Sequence, residues 1–411
     1  MFSRKKAFII LSSILVSILF SWKLLLAQPQ ISGVTGKPAN GQSSIISGSG
    51  FGLKPQAAPW RWDSIDNGGM VNGTSINYYS GLSSGAIPDL HTKCPGYDCT
   101  KSTAYWNSNW GQYKVDTNPS DQRGVSTANL ISQNGNTCSV NGYSGANNKI
   151  ATTVPESWNE KYISYWVYPY ATFTNQNVKF MRVWGGYSSY IYNYADQFDF
   201  TWSWTINPPP FFASHGEYYN GKWQSPYWYW NSGTGSFMRP AANEWERIEV
   251  YIKQETASST SNDGRIIISQ TVANRDGTYQ RHTYDSGPNL NVDYFLADKT
   301  NWITFGNELS NCSGTNTGSL DMTTRLDDIY IDNTIARVEL CDAPTWSAST
   351  HCEIQIPSSW SDSSITITGN QGSFSNMNGT YLYVVDANGI VSNGYPSSPY
   401  SPNPPKNLSA K

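Results

Sequence analysis

Arg182, His215 and Tyr218 are the residues whose types suit proton abstraction beside a carboxylate. Polysaccharide β-elimination needs a cation to neutralise a uronate carboxylate and a Tyr, His or Lys to remove the adjacent C5 proton. Arg182 lies in VKFMRVW (residues 178–184), and His215 and Tyr218 lie in ASHGEYY (residues 213–219). Lys179 stands three positions before Arg182, which puts the two cations on opposite faces of a regular strand; they share a face only if the strand bulges. The plainer reading of these residues is a surface charge and a loop histidine with no common site.

The second group is aromatic. Between Trp202 and Trp230 the chain carries Trp202, Trp204, Phe211, Phe212, Tyr218, Tyr219, Trp223, Tyr227, Trp228, Tyr229 and Trp230. Exposed rings bind sugars because pyranose C–H groups, which carry partial positive charge, pack on the negative π-face. Trp202 and Trp204 share one strand face and are assigned to a core. Pro208–Pro210, Gly216 and Gly221 predict that much of the rest is loop, which makes Tyr218, Tyr219, Trp223, Tyr227 and Trp228 the candidate ligand surface.

Other chemistries lack their residues. Glycosidases that place an acid and a nucleophile on one strand face need alternating carboxylates. Glu244, Glu246 and Glu249 come nearest, but Glu246 and Glu249 differ in parity. No P-loop, strand-to-helix GxGxxG or GxSxG is present. Without a CxxC pair, and with four scattered histidines, zinc has little to bind. The net charge of −3 gives no basic field for nucleic acid.

The elements that must position these residues are short strands. The clearest are residues 162–168 (YISYWVY), 178–184, 198–204 (FDFTWSW), 246–253 (ERIEVYIK), 265–270 (RIIISQ), 302–305 (WITF) and 327–332 (DDIYID), separated by turn signals. Many short strands at this spacing predict an all-β antiparallel sandwich or jelly roll. Low charge (14%) beside high aromatic content (14%) suits an extracellular β protein rather than a cytosolic enzyme. Six cysteines point the same way. Spacing suggests Cys94–Cys99 and Cys341–Cys352 as local disulfides and leaves Cys138–Cys312 as a long-range pair. Arg4, Lys5 and Lys6 followed by an apolar run to Phe20 read as an export signal cleaved after Ala27. The alternative is an uncleaved anchor, the chain's only expected contact with a membrane.

Gly41–Gly52 (GQSSIISGSGFG) and Trp360–Ile367 (WSDSSITI) resemble the opening and closing segments of IPT/TIG immunoglobulin-like domains. Roughly 300 residues separate them, so the resemblance implies a small domain split by an insertion. Within the insertion, residues 243–253 (NEWERIEVYIK), the NDG and NRDG turns at 262–264 and 274–277, and residues 325–332 (RLDDIYID) resemble concanavalin A-like jelly rolls. That group includes lectins, glucanases and polysaccharide lyases. The expected organisation is a signal or anchor (1–27), Ig-like parts at 28–58 and 339–391 around a jelly roll at 59–338, and a Pro/Ser-rich linker or tail (392–411). The jelly-roll resemblance also implies a structural Ca²⁺ near Asp327 and Asp328, with Asp63 or Asp66 as partner; no other cofactor is required. The expected function is binding of a polysaccharide or cell-surface glycan at the cell exterior without catalysis. The alternatives are a lyase using Arg182, His215 and Tyr218, and a structural appendage with protein partners.

Overall fold

A computed structural model describes residues 28–36, 38–65, 72, 75–76, 112–117, 121–124, 126, 128–133, 147–155, 157–170, 178–185, 197–202, 211–219, 222–224, 243–253, 264–287, 300–309 and 323–397. The expected signal, the tail beyond residue 397, Asp66, Trp204, Tyr227, Trp228, Cys94, Cys99, Cys138 and Cys312 lie outside them.

Strands from the two ends of the chain share one sheet. Its order is β1 (Gln30–Thr35), β2 (Ser43–Ser49), β20 (Ser364–Thr368), β19 (Cys352–Trp360), β18 (Arg337–Cys341), β21 (Tyr381–Val385) and β22 (Tyr395–Pro396). The sheet folds over at β19. Residues 352–355 pair with β18 and residues 356–360 with β20, and the register slips at Pro357, which has no N–H to donate. Alternating residues of the two halves then meet in a small Ig-like sandwich whose core holds Ile31, Ile46, Phe51, Val338, Leu340, Ile365, Ile367, Leu382 and Val384. Gly50 and Gly52 of the GSGFG turn both sit at φ +71°, where a side chain would be strained. The disulfide Cys341–Cys352 joins directly paired residues of β18 and β19.

The intervening chain forms an antiparallel jelly roll. Its large sheet runs β15 (Tyr279–Asp285), β14 (Arg265–Ala273), β13 (Trp245–Lys253), β8 (Glu160–Pro169), β17 (Thr324–Asp332), β6 (Asn129–Gln133), β5 (Gln112–Asp116) and β4 (Ser75–Ile76), with β3 (Arg61–Asp63) also on β17. The second sheet runs β12 (Lys222–Gln224), β11 (Phe211–Tyr219), β10 (Gln197–Trp202), β9 (Val178–Gly185), β16 (Thr300–Leu309) and β7 (Asn147–Thr153). Tyr165 meets Phe305 edge-on at 5.0 Å between the sheets, among buried Tyr113, Met181, Val183, Ile248, Val250 and Ile303. Every expected strand is present. Among the described residues, no helix is long and apolar enough to cross a membrane.

The other face of the large sheet carries polar residues and is equally buried, because the small sandwich packs on it. Arg247 leaves β13 and binds Glu339 of β18 through both η-nitrogens, at 2.9 and 3.0 Å. Its remaining N–H groups reach Ser164, Tyr162 and the Cys352 carbonyl. All five guanidinium donors are thereby used. Arg337 bonds Glu339 at 2.6 Å and approaches Glu249, which also meets Arg281 and the Tyr162 hydroxyl. Burial alone would push the Glu249 carboxyl up, but Arg247, Arg281 and Arg337 outweigh it and hold it down at about 2.

A carboxyl depressed in the folded state adds stability that is complete above its unfolded value of 4.5 and is lost as pH falls toward 2. Urea titrations should therefore show unfolding free energy falling through that window, by less in Glu249→Gln. Arg247→Ala, which removes the bidentate partner of buried Glu339 and one of the cations beside Glu249, should cost about 3–5 kcal/mol at neutral pH.

Candidate functional site

The strand 178–185 decides where the expected cations lie. Met181 pairs with Phe200 of β10, but Lys179 pairs with Thr201, so Phe180 is an extra residue in β9. This is a β-bulge. Arg182 pairs with Asp199, two positions from Thr201 on an unbroken strand. Lys179 and Arg182 thus fall on the same face despite their spacing of three.

That face is fixed by its neighbours. The rows Met181–Phe200–Ala213–Phe305 and Val183–Phe198–His215–Ile303 contain the buried residues that meet the large sheet. The alternate rows belong to the opposite, outward face. They are Thr201–Phe212–Lys179, Asp199–Ser214–Arg182–Thr304 and Gln197–Gly216–Trp184–Trp302, with Glu308 paired to Lys179. Tyr218, two residues past Gly216, has the same parity and pairs with Trp223. Two cations, a tyrosine and three tryptophans therefore occupy neighbouring outward rows.

Register separates the expected base-and-cation trio. Arg182 and Tyr218 have outward parity, whereas His215 shares a row with buried Val183 and Ile303. Tyr219, paired with Lys222, has the parity of His215. Where the sequence led us to expect loop, residues 211–219 and 222–224 are antiparallel paired strands. The small and polar residues of ASHGEYY hide the strand period of two.

The late-strand aspartates sit beside an arginine. Asp328 is the αL residue (φ +46°) of a second bulge, in β17. Its carboxylate pairs with Arg123, which also bonds Glu353 at 2.8 Å and lies 3.6 Å from Asp327. Asp63 is fully buried on β3 and caps the Ile65 N–H. Among the described residues, no cluster of three or more acidic, Cys or His side chains is arranged to hold a metal ion.

A further constellation was not anticipated. His351 Nε2 lies 2.8 Å from Glu353 and 3.0 Å from Ser373 Oγ, and Ser373 donates to the same Glu353 oxygen at 2.7 Å. A nucleophilic relay needs the carboxylate and the hydroxyl on different ring nitrogens; here both meet one. The ring is stacked between Tyr279 (3.9 Å) and Phe374 (4.0 Å), which ties β15 to the small sandwich. Arg123 holds the Glu353 carboxyl well below the usual carboxylate range despite its burial. The only sequence signal was the two-residue spacing between His351, which directly precedes β19, and Glu353 within it.

No known protein family matches the chain, and no characterised relative matches it in sequence. Similar solved structures include a marine PL-14 alginate lyase from Aplysia kurodai (12% identity, 64% of this chain and 98% of that one, TM-score 0.34). Others are the cellulose induced protein Cip1 (14%, 58% and 94%, 0.32) and an alginate lyase Aly36B mutant in complex with alginate tetrasaccharide (14%, 67% and 98%, 0.31).

The closure around His351 makes a sharp demand on Gly124. It sits at φ +58°, and a methyl group there would lie 2.2 Å from Ser373 Cα. Gly124→Ala should lower stability by more than about 1 kcal/mol, measured by thermal or urea unfolding.

Proposed function

We propose that this protein binds an acidic polysaccharide along the outward face of the second sheet, as an exported glycan-binding protein without catalysis. The observation that carries the reading is the bulge at Phe180, which brings Lys179 and Arg182 into neighbouring outward rows. Cations on one face suit repeated carboxylates of a uronate chain. Trp184 and Trp302 in the adjoining row, with Tyr218 and Trp223 beyond it, supply ring types on which sugar faces stack. The parity of His215 argues against its serving as a base beside Arg182.

One observation favours a second reading, a lyase. Tyr218 shares its parity with Arg182, so a tyrosine and a cation could attend the same sugar residue.

The test is incubation of the purified protein with a panel of uronate and neutral polysaccharides, following retention and ultraviolet absorbance together. The expected outcome is retention on uronate chains, weakened by salt, with flat absorbance. Lys179→Ala and Arg182→Ala should each weaken retention by roughly tenfold, about 1.4 kcal/mol. Rising absorbance from an unsaturated uronate, lost in Tyr218→Phe, would replace binding by the lyase reading. Equal retention on neutral glycans would remove the cationic rows from the argument.

A further inference from the structure

We propose that Lys54 and Asp332 condense into an intramolecular amide that covalently joins the two passages between the small sandwich and the jelly roll. Lys54 lies between β2 and β3, where the chain leaves the small sandwich, and Asp332 ends β17, just before the chain returns to it. Lys54 Nζ stands 2.5 Å from Asp332 Oδ2, and the two side chains are 0% and 2% exposed. The neighbouring groups distinguish the two carboxyl oxygens. The Asn333 N–H donates to Oδ1 at 2.8 Å, and the Tyr330 hydroxyl donates to Oδ2 at 2.8 Å. Nζ is held from behind by donation to the Ala57 carbonyl at 2.8 Å and lies 5.7 Å from the Trp360 ring centre.

These contacts fit an acyl transfer with Oδ1 as the oxygen that gains charge and Oδ2 as the one that leaves. Charges removed from water are costly, and a proton passed from Nζ to Oδ2 leaves an amine beside a carboxylic acid. Burial pushes the Asp332 carboxyl above its usual range even with Lys54 opposing that shift. The amine lone pair then attacks Cγ, forming the Nζ–Cγ bond. Charge collects on Oδ1 under the Asn333 N–H, as in an oxyanion hole. The Cγ–Oδ2 bond breaks as Tyr330 delivers its proton to Oδ2 and regains one from Nζ. The products are one amide and one water, with no oxidant, metal or cofactor consumed. Reactants fixed at contact distance in a dry site supply the effective concentration that an uncatalysed condensation lacks.

The test uses the full-length purified chain, reduced, denatured and weighed against the mass calculated from its sequenced termini. The expected result is a mass lower by one water, with proteolytic peptides containing Lys54 and Asp332 recovered as one joined species. Lys54→Met should restore the full mass. An undiminished mass with the two peptides separate would overturn the proposal and leave a buried ion pair. Loss of water with the peptides still separate would overturn it too, since a cyclic imide at Asp332 has the same mass. The wild-type chain alone decides, so a variant that fails to fold does not.

Discussion

The bidentate bond from Arg247 to Glu339 is the contact on which the rest of the arrangement turns. It links a strand of the jelly roll to a strand of the small sandwich with both partners out of water. A buried pair of this kind adds little net stability, because desolvation cancels most of the attraction. Its effect is on specificity. A docking that separated the two units differently would break the Arg247–Glu339 and Arg337–Glu249 contacts and leave buried charged atoms without these partners, at a cost of several kcal/mol. The units are therefore held in one relative placement by the penalty on the alternatives. Apolar contacts among Trp62, Tyr162, Tyr251, Tyr330, Ile335, Ile354 and Val385 provide the area that drives their association.

Two bulges do the remaining positioning, and each changes which residues share a face. The one at Phe180 brings Lys179 to the parity of Arg182. The one at Asp328 lets Asp327 and Asp328, adjacent in sequence, both approach Arg123. A single inserted residue thus reassigns the chemistry of the strand beyond it, with the sheet itself left continuous.

What could be read in advance followed from alternation. The polar–apolar alternation of residues 364–368 (SITIT) and 380–385 (TYLYVV) predicts strands, the glycines of GSGFG (residues 48–52) predict a tight turn, and Cys341 and Cys352 are close enough in sequence to pair across a hairpin. The charged interface was not legible. Arg247 and Glu249, like Arg337 and Glu339, occupy every second position of a strand, which in isolation reads as a solvated face. Only the meeting of two such faces, brought together by an insertion of more than 280 residues between β2 and β18, turns them into a core. The bulge at Phe180 was equally hidden, since nothing in VKFMRVW marks Phe180 as the residue without a partner.

The split organisation has a consequence for where recognition can occur. A jelly roll has two outer faces, one on each sheet. Here the face of the large sheet is occupied by the small sandwich, through Trp166, Arg247, Tyr162 and Tyr330. Its polar residues are spent on Glu339, Glu353 and the Cys352 carbonyl rather than on a ligand. The second sheet is built from strands that the small sandwich does not extend, and its outward rows carry the cations and rings. Inserting the jelly roll into the small sandwich therefore does more than tether it. The insertion buries one outer face in a fixed polar lock and leaves the opposite sheet, on which the Phe180 bulge brings Lys179 to the parity of Arg182, as the face that the proposed glycan binding would use.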